Sequence, residues 1–546
     1  MTTLSHAQGD TSTPLLHETI GENLARVVDQ FGCEEALVSR HQGIRLTYGE
    51  FSDEVDLVAR ALLARGFTKG DRVGIWSPNN AEWVLLQYAT AQVGIILVNI
   101  NPAYRTHELE YALNQSGCRG LFATSRFKTS DYVAMVDEVR PSVPELEAVV
   151  FVDSEDWTDF LADAESVEPS AVTTIAATLD PDDPINIQYT SGTTGYPKGA
   201  TLSHVNILNN GFFVGETCRY TPEDRVCIPV PLYHCFGMVL GNLAVTTHGA
   251  TMVFPSDAFE AESTLEAVSE ERCTSLYGVP TMFIAELSDP DFESYDLSSL
   301  RTGIMAGSPC PVEVMKQCIE RMNMDQVTIA YGMTETSPVS TQTATDDPID
   351  KRVGSVGQVH PHVEIKVIDP GTGETVETGV AGELCTRGYS VMSGYWNDPE
   401  RSAEAIDDAG WMHTGDLATM DADGYFNIVG RIKDMVIRGG ENVYPREIEE
   451  FLYTHPLIRE VQVVGVPDER FGEEILAWIQ TEGDARLTAK DVREFCTGKI
   501  AHYKIPRYVE IIDEYPMTVT GKIQKNKLRE IAIDRLDLGD HITETA

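Results

Sequence analysis

Basic residues are scarce in this chain of 546 amino acids. Lys and Arg together number 41 against 85 Asp and Glu, which gives a formal net charge of −44, and Arg outnumbers Lys. A surface this acidic repels phosphate backbones and anionic lipid headgroups. The composition therefore argues against nucleic acids and anionic membranes as partners.

Long hydrophobic runs are also missing. No apolar stretch reaches the about 18 residues that a membrane helix needs. The longest candidate, residues 236–254, is interrupted by Asn242, Thr246, Thr247 and His248. The sequence therefore predicts no transmembrane segment.

The ten cysteines are scattered, without a C-x-x-C motif or a Cys/His cluster. Neither a zinc site nor a disulfide framework is expected, and reduced thiols are the plain interpretation. Residues 1–13 are polar and lack the apolar core of a signal peptide, and the final Thr-Glu-Thr-Ala is not a peroxisomal address. These features favour a cytoplasmic location.

Strands and helices alternate in the first part of the chain. Apolar runs at residues 73–76 and 95–100 predict buried strands, and residues 81–93 have helical apolar spacing. Thr106 is expected to cap the next helix, and residues 153–183 are expected to be a solvated connecting stretch. This order predicts an α/β fold with parallel or mixed sheets and covering helices.

The last part of the chain has a different pattern. Residues 461–466 and 474–480 alternate like half-buried strands. Thr488 and Asp491 form a capping box that opens a helix to Cys496. About 110 residues of this compact α+β pattern are enough for a separate small domain.

The most informative run is residues 189–199, Tyr-Thr-Ser-Gly-Thr-Thr-Gly-Tyr-Pro-Lys-Gly. Glycines permit tight turns in which successive N–H groups cradle an anion, so the run predicts a phosphate-binding loop. A Walker A loop has Gly directly before Lys and Ser or Thr after it, whereas Pro197 precedes Lys198 and Gly199 follows. This difference argues against a P-loop kinase or phosphohydrolase. A flexible linker is the alternative.

A second run, Tyr331-Gly332-Met333-Thr334-Glu335, combines an aromatic ring, a glycine and an acid. The ring can stack on a base, and the carboxylate of Glu335 can hold Mg²⁺ through an oxygen. The alternative is an ordinary loop at the end of a strand.

Two single residues complete the set of candidates. Asp416 ends the run Trp-Met-His-Thr-Gly-Asp, and a carboxylate can accept both hydroxyl groups of a ribose. Its alternative role is that of a turn residue. Lys522 lies in Pro-Met-Thr-Val-Thr-Gly-Lys-Ile, where the alternative is an exposed basic helix, since further basic residues follow.

Taken together, these runs resemble the core motifs of the adenylate-forming superfamily, which includes acyl-CoA synthetases, luciferases and adenylation domains of peptide synthetases. The resemblance covers about residues 20 to 535. Four runs are similar to the medium-chain acyl-CoA synthetase family member 2 group and its bacterial relatives: residues 98–105, 231–237, 435–445 and 498–506.

The resemblance implies a nucleotide site. Catalytic roles fall to Lys522, Glu335, Thr190 and His234, with Glu335 also on the metal. Tyr331 would contact adenine, Thr334 a phosphate, and Asp416 the ribose with help from Arg431. The full set of residues implied for ATP binding is Thr190, Ser191, Gly192, Thr193, Thr194, Gly195, Tyr196, Pro197, Lys198, Gly307, Ser308, Pro309, Tyr331, Gly332, Met333, Thr334, Asp416, Arg431 and Lys522.

The resemblance also implies a path for CoA and a pocket for the acyl chain. The CoA path would use His234, Arg438, Gly439, Gly440 and Glu441. The acyl pocket would use Phe236, Met238 and Val239. His234, on an apolar stretch, could equally be a satisfied core histidine.

The implied architecture is a large N-terminal adenylation domain, residues 1–430, and a small mobile α+β domain, residues 435–546. Residues 431–434 would form the hinge, with Lys433 at its centre. Two orientations of the small domain would then serve the two half-reactions.

The implied activity is that of a fatty acyl-CoA synthetase, which converts ATP, a fatty acid and CoA into acyl-CoA, AMP and pyrophosphate with Mg²⁺. A medium-chain substrate is expected, and longer chains are left open. The alternatives are an aryl or other carboxylic acid, transfer to a carrier protein, a luciferase side activity, or a non-catalytic acyl-nucleotide binding module. An amino-acid substrate is disfavoured because residues 227–254 contain no Asp or Glu for its ammonium group. A homodimer is left open.

The acidic composition leads to a prediction about salt. One hypothesis is that the protein works in a salt-rich cytoplasm, where a dense carboxylate surface stays hydrated and unaggregated and salt screens its self-repulsion. We then expect activity to rise with KCl concentration. An enzyme that is most active without added salt would contradict this hypothesis.

Overall fold

The computed structural model describes residues 3–190, 197–308, 310–438, 441–483, 487–518 and 522–538, without the side chains of residues 441 and 442. The fold is α/β. In the described residues, three large sheets use strands from the first 431 residues, and a fourth sheet uses strands that follow.

A seven-stranded sheet contains the strand that leads into the glycine-rich run. From Pro184–Thr190 to Ala148–Phe151, neighbouring strands of this sheet pair in parallel, as predicted. On the other side, strand Lys198–Ser203 pairs antiparallel with Pro184–Thr190, and strand Gly394–Tyr395 pairs antiparallel with Lys198–Ser203. The strands in spatial order are Gly394–Tyr395, Lys198–Ser203, Pro184–Thr190, Ile96–Asn99, Arg72–Trp76, Cys118–Ala123 and Ala148–Phe151.

A nine-stranded sheet is parallel in its middle and antiparallel at both edges. The strands in spatial order are Gln358–Val359, Val339–Gln342, Gln326–Gly332, Thr302–Ala306, Ser275–Gly278, Arg225–Cys227, Thr251–Phe254, Glu35–Ser39 and Ile44–Thr47.

The third sheet is antiparallel and has five strands, the first of them close to the N-terminus. Its strands in spatial order are His6–Gln8, Val363–Ile368, Gly382–Gly388, Met412–Met420 and Phe426–Arg431. A short hairpin, Arg126–Phe127 with Ser130–Asp131, stands apart from the large sheets.

The fourth sheet forms the C-terminal α+β unit. The long hairpin Ile458–Asp468 and Gly472–Thr481 is its centre. The second strand of this hairpin, Gly472–Thr481, also pairs in parallel with Tyr508–Ile511 and antiparallel with Val436–Arg438, and Glu441–Val443 pairs with Val436–Arg438. A buried cluster of its own includes Val461, Ile475 and Val492. This unit matches the predicted small domain in character.

Helices cover the sheets, and one hydrophobic core joins the two largest sheets, since Ile75 and Leu97 share it with Val226 and Ile304. The α-helices are Ile20–Phe31, Tyr48–Ala64, Ala81–Val93, Thr106–Ser116, Tyr132–Val139, Glu155–Ala162, Ser170–Ala176, His204–Cys218, Ala244–Thr246, Ala261–Glu271, Pro280–Leu287, Val312–Arg321, Ile349–Gly354, Pro399–Ala405, Pro445–Leu452, Ala489–Cys496 and Lys525–Arg535. None of these helices is long and apolar enough to cross a bilayer.

Local predictions about helix ends were partly right. Helix Ala81–Val93 ends as predicted at Gly94, whose φ of +72° needs no Cβ. The capping box of Thr488 and Asp491 is present. The prediction that Thr106 caps its helix was wrong: Thr106 is the first helical residue, and Arg105 holds the cap position.

The prediction of a solvated connection at residues 153–183 was also wrong. Helices Glu155–Ala162 and Ser170–Ala176 lie in this stretch. Phe160 is fully buried, with its ring edge-on to Phe122 at a centroid distance of 5.0 Å. One buried aromatic ring thus anchors a segment whose acidic composition suggested a loop.

Glu286 is an unusual buried acid on helix Pro280–Leu287. Its side chain is fully buried, and neither carboxylate oxygen has a hydrogen-bond partner among the described residues. Burial alone raises the pKa of Glu286 well above its usual 4.5. Between pH 4.5 and this raised pKa, the Glu286 side chain is therefore protonated in the native protein and ionised in the unfolded chain.

We predict that Glu286→Gln changes the pH dependence of stability. A raised native pKa stabilises the fold below pH 4.5, and this contribution is lost as pH rises towards the native pKa. The free energy of unfolding of the wild type should therefore fall, relative to that of the variant, between pH 4.5 and neutrality in urea titrations. Glu138→Gln, at an exposed position, is the control. Parallel pH profiles for wild type and Glu286→Gln would contradict this account.

Candidate active site

The nucleotide candidates lie where parallel strands end, which is where open α/β sheets bind ligands. Thr190 is the last residue of strand Pro184–Thr190. Tyr331 lies near the end of strand Gln326–Gly332, and Glu335 lies in the short 3-10 helix Thr334–Thr336 that follows. The two large sheets thus meet at these motifs.

Glu335 joins the glycine-rich run to the second motif. Its Oε1 atom accepts a hydrogen bond from the hydroxyl of Thr190 at 3.3 Å and from the hydroxyl of Tyr395 at 2.8 Å. The Nζ of Lys198 lies 4.8 Å from the centre of the Tyr395 ring. Glu335 is only 5% exposed. A carboxylate fixed in this way fits Mg²⁺, which takes oxygen ligands.

Asp416 is the second fixed carboxylate. Its Oδ2 atom accepts a hydrogen bond from the hydroxyl of Tyr331 at 2.7 Å, and its Oδ1 atom accepts one from Nε of Arg431 at 2.9 Å. Asp416 and Arg431 are direct partners on neighbouring antiparallel strands. Asp416 raises the pKa of Arg431, and burial together with Asp416 raises that of Tyr331. Each carboxylate oxygen has a second lone pair for a ribose hydroxyl.

Lys522 lies among these groups although it belongs to the C-terminal part. A Cβ added at Gly307 would be 3.6 Å from Cε of Lys522. The pKa of Lys522 is lowered from its usual 10.5, first by burial and then by the charge of Arg431, while Asp416 and Glu335 oppose the shift. The structure therefore brings together the lysine, both carboxylates and the arginine.

His234 faces the same space. Its Nδ1 atom accepts a hydrogen bond from the backbone N–H of Phe236 at 3.1 Å, so a ring proton belongs on Nε2. Burial and the charge of Lys522 lower the pKa of His234 to about 3. The imidazole is therefore neutral at physiological pH.

The acyl-pocket candidates follow directly. Phe236, Met238 and Val239 are buried in a π-helix, Phe236–Leu243, and the ring of Phe236 stacks on that of Tyr277 with centroids 5.7 Å apart. Turns of π-helix occur frequently at functional sites. The apolar candidates thus begin two residues after His234.

The CoA candidates lie mainly in the C-terminal unit. Arg438 donates two hydrogen bonds to Glu474, from Nε at 2.8 Å and from Nη2 at 2.7 Å. In this arrangement its guanidinium is occupied within its own sheet. Gly439 and Gly440 lie outside the described residues, as does the side chain of Glu441.

The proposed hinge is an exposed turn. The backbone N–H groups of Asp434 and Met435 both donate to the carbonyl of Arg431, at 3.1 and 3.0 Å. Lys433 lies in this turn and is exposed.

Several other ATP candidates are only partly described. Gly307 and Ser308 follow strand Thr302–Ala306, and Gly307 has a φ of +88°. The carbonyl of Pro197 accepts a hydrogen bond from the hydroxyl of Tyr111. Gly332, Met333 and Thr334 lie between Tyr331 and Glu335. The remaining candidates lie outside the described residues: Ser191, Gly192, Thr193, Thr194, Gly195, Tyr196 and Pro309.

Two residues of the site were missed from the sequence. Tyr395 binds Glu335, and Cys235 donates from its Sγ to Oε1 of Gln188 at 2.8 Å. Gln188 lies two residues before Thr190 in the same strand. Both contacts join distant parts of the chain, and no local spacing signals them.

Two family profiles match the chain. The profile described as AMP-binding enzyme matches residues 24–396, more than half of the chain, and the profile described as AMP-binding enzyme C-terminal domain matches residues 447–522.

A curated relative and two solved structures are similar over nearly the whole chain. Medium-chain acyl-CoA ligase ACSF2, mitochondrial, of Bos taurus is 47% identical over 98% of this chain and 91% of its own. The anthranilate CoA ligase AuaEII in complex with anthranoyl-AMP has a TM-score of 0.86 at 29% identity, over 96% of this chain and 98% of its own. ATP-bound MatB from Rhodopseudomonas palustris has a TM-score of 0.84 at 30% identity, over 94% of this chain and 99% of its own.

These similarities confirm the predicted fold and the predicted resemblance, since sequence profiles and solved structures agree over both parts of the molecule. The chain belongs to the family of AMP-binding enzymes.

Proposed function

We propose that the protein is an AMP-forming fatty acyl-CoA synthetase that uses ATP and CoA as co-substrates and Mg²⁺ as cofactor. The observation that carries this proposal is that the carboxylates of Asp416 and Glu335 are both held by hydrogen bonds, while Lys522 lies beside Gly307. The fatty-acid carboxylate attacks the α-phosphate of ATP, which forms a bond to phosphorus and releases pyrophosphate. The CoA thiol then attacks the acyl carbon, which gives the thioester and releases AMP.

Asp416 is proposed to bind the ribose. Its carboxylate is held by Tyr331 and Arg431, so it does not need to reorganise when the two ribose hydroxyls donate to it. The Tyr331 ring is proposed to lie against adenine.

Lys522 is proposed to stabilise the transition state of the first step. The attacking carboxylate and the triphosphate are both anions, so catalysis depends on positioning and on neutralising charge. Burial lowers the pKa of Lys522, and repulsion by the charge of Arg431 lowers it further. A bound triphosphate would relieve the repulsion, which favours the charged lysine when substrate is present.

Glu335 and Thr190 are proposed to serve the metal and the phosphates. The Glu335 carboxylate would hold Mg²⁺, which supplies positive charge to the phosphate oxygens. Tyr395 and Thr190 fix the orientation of this carboxylate.

The second step, attack of the CoA thiol, is proposed to need a rotation of the small domain. Residues 1–430 and 435–546 are proposed as the two domains, with residues 431–434 and Lys433 as hinge. Neutral His234, with its ring proton on Nε2, can donate a hydrogen bond there. Arg438 through Glu441 are proposed to border the CoA path after this rotation of the small domain.

The acyl substrate is proposed to be a medium-chain fatty acid. Phe236, Met238 and Val239 offer an uncharged wall, and the relative ACSF2 is named for medium-chain substrates. A cytoplasmic location is proposed with it.

The experiment that tests the function is pyrophosphate release with a panel of carboxylates, from acetate through palmitate to aryl acids, with and without CoA. We expect the highest kcat/KM for medium-chain acids, AMP as the nucleotide product, and acyl-CoA only when CoA is present. A preference for aryl acids would favour the alternative substrate class. ADP or phosphate as product would exclude this reaction.

We predict that Lys522→Ala keeps ATP binding but loses adenylation by at least about 100-fold, because the charge that stabilises the transition state is gone. Isotope exchange between pyrophosphate and ATP measures this step. Lys522→Arg should retain part of the activity. Because the pKa of Lys522 is lowered, the alkaline limb of kcat/KM should lie below pH 10.5 in the wild type and move upward in Lys522→Arg. Full exchange in Lys522→Ala would refute this role.

A second prediction concerns Tyr395→Phe. The substitution removes a hydrogen bond to a carboxylate, worth about 1.5–3 kcal/mol, so kcat/KM for ATP should fall about 10-fold or more. The Mg²⁺ concentration needed for half-maximal rate should rise with it. Tyr425→Phe is the matched control, since it removes a similar bond to Asp347 outside the site. Equal Mg²⁺ requirements in wild type and Tyr395→Phe would contradict the assignment.

A further inference from the structure

The stretch of strand Met412–Met420 that presents Asp416 is held by a second carboxylate, from the neighbouring strand Gly382–Gly388. Glu383 is 9% exposed and uses both of its oxygens. Its Oε1 atom accepts the backbone N–H of Gly415 at 3.1 Å, and its Oε2 atom lies 3.0 Å from Nδ1 of His413. Gly415 has a φ of +69°, in the left-handed region that favours glycine.

His413 is the second partner of the Glu383 carboxylate. Because a carboxylate only accepts hydrogen bonds, Nδ1 of His413 must carry the proton that it donates to Glu383. The other ring nitrogen, Nε2, lies 3.8 Å from Oδ2 of Asp407. The orientation of Glu383 is thus set by a side chain three residues before Asp416.

The opposite side of the same stretch of strand is tied to the proposed hinge. The carbonyl of Gly415 accepts the backbone N–H of Ile432 at 3.0 Å. The N–H of Asp416 donates to the hydroxyl of Thr414 at 3.1 Å, and that hydroxyl donates to the carbonyl of Leu384 at 2.7 Å. The peptide groups on both sides of Gly415 are therefore fixed before a nucleotide arrives.

A metal site would be another use of these side chains, since ligand atoms of Glu383, Cys385 and His413 lie within 4.8 Å of one another. Two observations speak against it. Both oxygens of Glu383 already accept N–H donors, and Lys366, a cation, is the direct strand partner of Cys385. The contacts are those of side chains that orient this stretch of strand Met412–Met420.

We propose that Glu383 and His413 are positioning residues that hold the Asp416 carboxylate where the ribose hydroxyls meet it. This inference rests on the proposed role of Asp416 in ribose binding. Loss of Glu383 frees the N–H of Gly415, and loss of His413 removes the contact that orients Glu383. In both cases this stretch of strand Met412–Met420 can shift, so the carboxylate no longer meets both hydroxyls and Tyr331 together.

The test is discrimination between ATP and its 2′-deoxy and 3′-deoxy analogues, measured as the ratio of kcat/KM values for pyrophosphate release. A hydrogen bond to a charged group is worth about 10- to 100-fold, so we expect the wild type to prefer ATP by about that factor. Asp416→Asn should reduce the preference. His413→Ala and Glu383→Ala should reduce it by about 10-fold, mainly through a loss with ATP.

Two further variants separate positioning from general damage. His413→Asn places an amide N–H near the position of Nδ1, so it should restore the preference for ATP. Asp407→Asn changes the group near Nε2 of His413 and leaves the hydrogen bond between Glu383 and Gly415 in place. The preference for ATP over its deoxy analogues should therefore stay unchanged. Melting temperatures of all variants identify any that fail to fold.

Three results would overturn the inference. If His413→Ala and Glu383→Ala slow ATP and both deoxy analogues equally, the two residues support the fold only. If Asp416→Asn leaves the preference for ATP unchanged, or the wild type has none, the ribose role of Asp416 itself fails, and with it this inference. A reduced preference in Asp416→Asn alone would retain the proposed function and reject the positioning role.

Discussion

The buried carboxylate of Asp416 and the two groups that hydrogen-bond to it hold the candidate site together. Tyr331 reaches it from the nine-stranded sheet and Arg431 from the adjacent antiparallel strand. A buried charge is costly unless it is paired and hydrogen-bonded. These contacts therefore fix how the nine-stranded sheet meets the five-stranded antiparallel sheet that carries Asp416 and Arg431. Arg431 is also the last residue before the turn to the C-terminal part, and the same interaction therefore links the nucleotide site to the proposed hinge.

The site gathers cations in a chain of net charge −44. Burial lowers the pKa of Lys522, and the charge of Arg431 lowers it further. Such an arrangement is costly without an anion and becomes favourable once a triphosphate enters, because the attraction then outweighs the repulsion. This gives a physical reason why the small domain would close over ATP and leave once pyrophosphate is released.

The motifs, the fold class and the C-terminal α+β unit could be predicted from sequence because each has a local signature. Contacts across sheets could not. Tyr395 meets Glu335 from 60 positions away, and Glu383 reaches Gly415 only because the pairing of the two strands contains an irregularity between residues 383 and 385. Residues 153–183 were misjudged because Phe160, a single buried ring, outweighs their acidic composition.

The most direct test of the central claim is an isotope measurement. A fatty acid labelled with ¹⁸O in its carboxylate is turned over with ATP, Mg²⁺ and CoA, and the AMP produced is analysed by mass spectrometry. Attack of the carboxylate on the α-phosphate predicts one ¹⁸O atom in each AMP. Unlabelled AMP, or label found in phosphate or pyrophosphate, would contradict the account.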